Sequence, residues 1–456
     1  MNKNTSFTFS VLVATSFVFS CSKSQRASPA DEFTVGPTGY YAVETQKDKT
    51  LLQDPLRKQI GSFFLVEQFN AKIFASMEDA IRDHAPGGIV FWNPDKVGAK
   101  EVYDLDFDYS KTADEARQLA PLFSADYEGG GMSRTPEGKN IPGIQRFTEG
   151  FTSLAHPAWL GVSMEKFGTK LCRLHGQIMA QELKAVGINY PLATVSDLAM
   201  NMFRNRGIST DPKKITACLE EIVNAFAETS GEVFVTKHFP GLGETRGDTH
   251  EETVVSKAKT MDELKNSLFP FAETINYVNQ NQFSESYSIL ASHAKYDVLD
   301  KDNITTVSKP ILTDFLRGQL HFNGVVVSDA MWMGEYGHMQ TAQLLVVYLK
   351  SVLAGMDMLM IPGKTFAPAV SFFRAVYDNT LKADEKALIA QSFGMSWDDI
   401  HTKFMARLQE SSARVAKLKQ ASGYFYKTQT QFVEPKTITA SLTSEYKRIL
   451  AELGLH

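Results

Sequence analysis

The chain has 456 residues, 43% of them hydrophobic and 22% charged, with a formal net charge of -5. That length and balance suit one large globular domain or two small ones. The slightly acidic total gives no reason to expect nucleic acid as a partner, since that usually demands a basic face.

Lys3 gives the chain a positive start, and Phe7 to Phe19 form a largely apolar run too short for an ordinary membrane span. The run ends at Val18-Phe19-Ser20-Cys21, and the chain then turns polar at Ser22-Lys23-Ser24. Residues 1–20 therefore read as a secretory signal. The Val-x-Ser-Cys ending resembles a bacterial lipoprotein box, which makes Cys21 the lipidated first residue of the mature chain. A plain cleaved signal is the alternative. Residues 21–50 are polar without apolar period and read as a tether holding a domain off a membrane. The expected location is the bacterial cell envelope, with a lipid anchor as the only membrane contact. Ser22 after Cys21 resembles lipoproteins sent to the outer membrane, on its periplasmic face. Cys172 and Cys218 remain, both on apolar faces of expected helices, and the reading predicts buried free thiols rather than a disulfide.

From 51 to about 425 the pattern alternates between short apolar runs and amphipathic stretches. The expected strands are Gly61 to Glu67, Gly88 to Trp92, Leu122 to Glu128, Ile188 to Val195, Val233 to Phe239, Ser288 to Tyr296, Val325 to Ala330 and Met356 to Pro362. One helical stretch between them carries Phe167, Leu171, Leu174, Ile178, Leu183 and Val186 on one face and stops at Gly187. Another starts at Asp211-Pro212, a cap followed by proline in the first turn, and a third begins at Pro310. Strands alternating with helices predict parallel pairing and right-handed crossovers. Eight such units predict a single α/β domain, a (β/α)₈ TIM-like barrel, with a doubly wound open sheet as the rival. Residues 426–456 read as a C-terminal helical tail.

Asp126, Lys237, His238, His293 and Asp329 fall at or near the carboxyl ends of these strands, where barrel enzymes place their chemistry. The richest segment runs from Lys237 to His250. A cation and an imidazole end an apolar run, a loop of Pro240, Gly241, Gly243 and Gly247 follows, and Asp248 and His250 close it. Residues at i and i+2 of an extended segment point the same way, so Asp248 can accept from one ring nitrogen of His250 and leave the other to move a proton. Asp329 ends the very apolar run Val325-Val326-Val327, which suits a nucleophile or charge stabiliser. Taken alone, Asp126 reads equally as a turn or helix cap and Asp329 as a helix cap. Gly241-Leu242-Gly243 is no nucleotide fingerprint, because Arg246 stands at the third glycine's place. No metal is expected, for want of a His-Glu-x-x-His frame, and no cofactor.

Lys237 to His250 closely resembles the Lys-His-Phe-Pro-Gly-x-Gly-x-x-x-x-Asp-Ser/Thr-His signature of bacterial β-N-acetylglucosaminidases in glycoside hydrolase family 3. Gly88 to Phe91, Asp126 to Gly130, Glu149 to Leu154, Arg206 with Asp211-Pro212, Phe322 to Asp329 and Ala413 to Lys419 match further blocks of that family, in order. The resemblance covers about residues 55 to 425. It implies that Asp329 attacks the anomeric carbon with retention of configuration, and that His250, held by Asp248, is the acid/base. It also implies that Asp126, Arg206, Lys237 and His238 hold the terminal N-acetylglucosamine of a cell-wall or chitin fragment. Leu242, Tyr127 and Gly131 depart from the pattern; Tyr127 is expected to alter the sugar subsite and Leu242 the closing of the loop. Trp332, beside Asp329, reads equally as a sugar platform or as packing under the rim. A β-glucosidase, a glycoside phosphorylase or a silent glycan-binding lipoprotein are the other functional readings.

Overall fold

The computed structural model describes residues 55–455, apart from 69–76, 92–97, 130–150, 153, 204–205, 230–232, 423–426 and 428–430. The expected signal, the tether with Cys21, and Gly131 lie outside the described residues. Among those described, no helix is long and apolar enough to cross a membrane.

Seven short parallel strands form the centre: β1 Phe64–Gln68, β2 Gly88–Phe91, β3 Leu122–Ser124, β4 Phe234–Phe239, β5 Tyr287–Ala291, β6 Val325–Ser328 and β7 Leu359–Ile361. They pair in the orders β3-β2-β1-β7 and β4-β5-β6. Helices separate consecutive strands, as parallel pairing requires. Alternate residues face two different apolar layers, which is why the strands read as unbroken apolar runs. Phe64 and Val66 of β1 and Val326 of β6 join the larger cluster, while Leu65, Val325 and Val327 pack in a smaller inner one with Val90 and Met360. The long helix Trp397–Ser422 sends Val415 and Leu418 into that inner cluster.

Backbone contacts also join the edges of the two sheets. On one side Val327 bridges Met358, and Ser328 N–H donates to Met358 O at 3.0 Å. On the other, Tyr190 N–H donates to Phe123 O at 2.9 Å, and Ser196 N–H to Lys237 O at 2.7 Å. The segment 188–195 therefore lies between β3 and β4, where a fourth strand was expected. It forms only a single bridge, Val195 to Lys237. Pro191 has no N–H to give a ladder, and Thr194 sits in the left-handed region at φ 67°. Other boundaries differ from expectation: β3, β5, β6 and β7 end at Ser124, Ala291, Ser328 and Ile361, short of the expected ends. Gln59–Phe63 is a helical turn, so β1 starts at Phe64, and Gly168, at φ 56°, divides the expected helix into Pro157–Phe167 and Lys170–Ala185. The Asp211 cap is present: its side chain accepts from Lys213 N–H at 2.9 Å.

The free-thiol expectation is overturned. Cys172 and Cys218 form a disulfide, with Cα atoms 5.3 Å apart. The two apolar faces that carry them, on Lys170–Ala185 and Pro212–Glu228, pack against each other. Reading each face separately showed burial without showing that the faces meet. Bridging residues 46 apart removes chain entropy from the unfolded state, worth roughly 2–4 kcal/mol. Cys172→Ser is expected to lower the denaturant midpoint accordingly, and a reductant should bring wild-type protein to the same midpoint. A midpoint indifferent to reductant would show that the bridge does not form.

Candidate active site

The carboxyl end of β3 runs on through Asp126 and Glu128, and the end of β4 carries Lys237. These meet over a sequence distance of more than a hundred residues. Lys237 Nζ lies 2.8 Å from Asp126 Oδ1 and 2.6 Å from Glu128 Oε1, and donates to Leu192 O at 2.5 Å. Arg206 grips Glu128 with two parallel bonds, Nε to Oε2 at 2.9 Å and Nη2 to Oε1 at 2.8 Å. Such forked pairs are directional and strong. Burial pushes Glu128 up, but Arg206 and then Lys237 pull it well below the usual carboxylate range. Burial also works against the Lys237 charge, yet Asp126 and Glu128 raise its pKa. The four groups form a buried, charge-balanced cluster with one face at Asp126, whose side chain keeps 17% exposure.

His238, next on β4, points to a carboxylate that no sequence pattern singled out. Its Nδ1 is 2.7 Å from Asp197 Oδ2, and its backbone N–H reaches the same oxygen at 3.1 Å. Asp197, wholly buried, also accepts from Leu242 N–H at 2.5 Å, so one side chain fastens both ends of the Phe239–Gly241 turn. The Lys237–His238 and Phe239–Pro240 peptides are cis. Leu242 is buried in the larger apolar cluster.

The loop then rises to the expected dyad. Asp248 Oδ1 lies 2.7 Å from His250 Nδ1 and accepts from His250 N–H at 2.9 Å. Both side chains are half-exposed, at 46% and 49%. The His250 hydrogen bond holds Asp248 below its usual range against burial. The same bond raises His250, again against burial, and the charges of Asp248 and Asp329 add to it. Gly334 N–H donates to His250 O at 3.0 Å, tying the loop to the segment after β6.

Asp329 follows the end of β6, partly buried, with Oδ1 accepting from Ala330 N–H at 2.8 Å. Burial raises its pKa, but His238, His293, that N–H and His250 together bring it below the usual range. His293 is buried at the end of β5, with Nδ1 2.6 Å from Thr306 Oγ1 and Nε2 donating to Ala330 O at 3.0 Å. Burial lowers its pKa, against the pull of Asp329. Asp329, His250, Asp248 and Arg206 are thus linked by charge, each acting on at least one of the others. A carboxylate held ionised beside a histidine primed to carry a proton is a pairing suited to nucleophilic and acid/base chemistry.

Asp126, Arg206, Lys237, His238, Asp248, His250 and Asp329 come together here, with His293, also expected at a strand end, while Cys21 lies outside the described residues. Glu128 and Asp197 join them; the first was visible only as part of a motif, and Asp197 gave no signal. Tyr127 does not face this cluster. The ring is fully buried and its hydroxyl donates to Glu182 Oε2 at 3.0 Å, so it lies behind the site. The alternation of side chains along the β3 extension sends Asp126 and Glu128 one way and Tyr127 the other. Trp332 packs against the inner apolar cluster, and is only partly buried. Among the described residues no group of three or more His, Cys, Asp or Glu is arranged to hold a metal ion.

The model of the glycosyl hydrolase family 3 N terminal domain matches residues 55–390. A beta-hexosaminidase of Photobacterium profundum is 28% identical over 303 residues, which cover 65% of this chain and 80% of that protein. Another from Methylococcus capsulatus is 27% identical over 318 residues, or 68% of this chain and 86% of that one. The crystal structure of a beta-N-acetylhexosaminidase from Beutenbergia cavernae superposes with a TM-score of 0.63 at 22% identity, over 80% of this chain and 98% of that one.

Two outcomes follow from the electrostatics. Proton NMR should give His250 a midpoint above the ordinary 6.5, and Asp248→Asn should lower it; a midpoint unmoved by Asn would disconnect the dyad. Glu128→Gln leaves Lys237 and Arg206 short of a buried countercharge, which should cost about 3–5 kcal/mol of stability. Denaturant unfolding checks this, and a loss below about 1 kcal/mol, the scale of exposed pairs, would contradict it.

Proposed function

The chain belongs to glycosyl hydrolase family 3, and from that premise we propose that it is a retaining, exo-acting β-N-acetylglucosaminidase acting on peptidoglycan- or chitin-derived fragments. The observation that carries this reading is the Asp248–His250 pair, bonded at 2.7 Å and tied through Gly334 N–H to the segment that follows Asp329. Asp329 attacks the anomeric carbon as the bond to the leaving oxygen breaks and His250 gives that oxygen its proton. Water then attacks the glycosyl-aspartate, His250 takes the water's proton, and Asp329 leaves. Two inversions at one carbon restore the starting configuration. Most retaining enzymes use a second carboxyl group as acid/base; here a histidine with raised pKa does the work near neutrality. Asp248 orients the ring and stabilises its charged form. Asp126, Arg206, Lys237 and His238 hold the sugar, with Glu128 and Asp197 as the buried countercharges behind them.

The same proposal includes the architecture and the address. The two joined seams support closure of β1–β7 and segment 188–195 into a (β/α)₈ barrel, with the site at its carboxyl end. The Cys172–Cys218 disulfide supports an oxidising compartment, in keeping with export and a lipid anchor at Cys21 in the envelope. Curated relatives carrying the name beta-hexosaminidase support the sugar class.

Asp329→Ala should abolish turnover of every p-nitrophenyl glycoside, and a 2-fluoro inactivator should add covalent mass at Asp329 in wild type. His250→Ala should slow natural oligosaccharides by about 10²–10⁴-fold, and aryl glycosides with very acidic leaving groups far less. Equal losses on both substrates would remove His250 from the acid role. Turnover that requires inorganic phosphate would replace hydrolysis by phosphorolysis.

A further inference from the structure

The expected C-terminal helical tail reaches the back of the site. Its helix Ala440–Glu452 packs on Lys170–Ala185, burying Tyr446 and Ile449. Two hydrogen-bonded lines run inward from it. In the first, Glu182, wholly buried, accepts from Thr439 Oγ1 at 2.7 Å, from Thr152 N–H at 3.0 Å and from the Tyr127 hydroxyl at 3.0 Å. In the second, Tyr446 Oη accepts from Ala155 N–H at 3.1 Å and lies 2.9 Å from His175 Nδ1. The other side of the His175 ring meets the turn after β3, where it fills the space a Cβ on Gly129 would need.

The donors and acceptors are consistent along the second line. Tyr446 accepts from Ala155 N–H and gives its own proton to His175 Nδ1. That requires a neutral imidazole, and burial lowers His175 to about 4. The first line ends on the Tyr127 side chain and the second on Gly129, the residue after Glu128. The tail therefore braces from behind the short segment that presents two carboxylates to Lys237 and Arg206.

We propose that Thr439 and Tyr446 are positioning residues for sugar binding, acting through Glu182–Tyr127 and through the His175 ring packed on Gly129 to fix Asp126 and Glu128. The proposal rests on the functional reading above. A misplaced binding carboxylate weakens substrate capture before it touches the bond-breaking groups, so the effect falls on KM.

The test compares Thr439→Val and Tyr446→Phe with Thr439→Ser, which keeps the hydroxyl, and with Ile449→Ala, which thins the same helix without touching either line. Val and Phe should each raise KM for p-nitrophenyl N-acetylglucosaminide about tenfold, the effect of one net hydrogen bond, with kcat within about twofold. Ser should restore KM. Amide exchange at 126–129 should quicken in the first two variants and not in Ile449→Ala, which lowers the unfolding midpoint alone. If Ile449→Ala moves KM and exchange as far as Thr439→Val, or if Val and Phe move neither, the proposal is overturned. A wild-type protein without turnover on any aryl N-acetylhexosaminide refutes the functional reading instead, and the exchange data then decide the positioning role by themselves.

Discussion

Two cations and two carboxylates packed behind the ends of β3 and β4 set the geometry of everything in front of them. Lys237 is almost wholly removed from water, at 3% side-chain exposure, and Arg206 nearly so at 11%. Burying an ion without a partner costs several kcal/mol, so neither cation is tolerable unless Asp126 and Glu128 are in place. That requirement couples three separate stretches of chain. The β3 extension must deliver both carboxylates, the segment after 188–195 must bring Arg206, and β4 must place Lys237 near its end. The next residue, His238, then has its direction fixed by Asp197, and the loop beyond is anchored through Leu242 N–H.

In front of this rigid base the groups differ in freedom. Asp329 extends an all-buried strand and is held by a backbone N–H, whereas the Asp248–His250 pair is half in solvent. Under the proposed chemistry that contrast suits a site in which substrate binds first and the proton donor closes afterwards. The fixed group would meet one carbon, and the half-exposed one leaving groups of different shape.

Much of this was legible in the sequence because it is local. Asp126, Lys237, His238 and Asp329 stand at the ends of apolar runs, and Asp248 and His250 are two residues apart, a spacing that itself predicts their hydrogen bond. What was illegible is tertiary. Glu128 meets Arg206 across 78 residues and Asp197 meets His238 across 41, and no periodicity encodes such pairings. The Cys172–Cys218 bridge failed for the same reason, since two apolar faces do not announce that they face each other. Tyr127 shows how tertiary placement changes a role. A motif position beside site residues was expected to alter the sugar subsite; strand alternation turns the ring away, so any effect runs through its link to the tail. Segment 188–195 was placed correctly between its neighbours, although Pro191 and the left-handed Thr194 deny it a regular ladder.

A crystal structure with N-acetylglucosamine bound tests the central claim most directly. The expected result places the anomeric carbon about 3–3.5 Å from an Asp329 carboxylate oxygen, with ring hydroxyls on Asp126 and Arg206 and the His250 ring over the glycosidic oxygen. A sugar bound away from this cluster, or one whose anomeric carbon neither Asp329 nor His250 can approach, would contradict it.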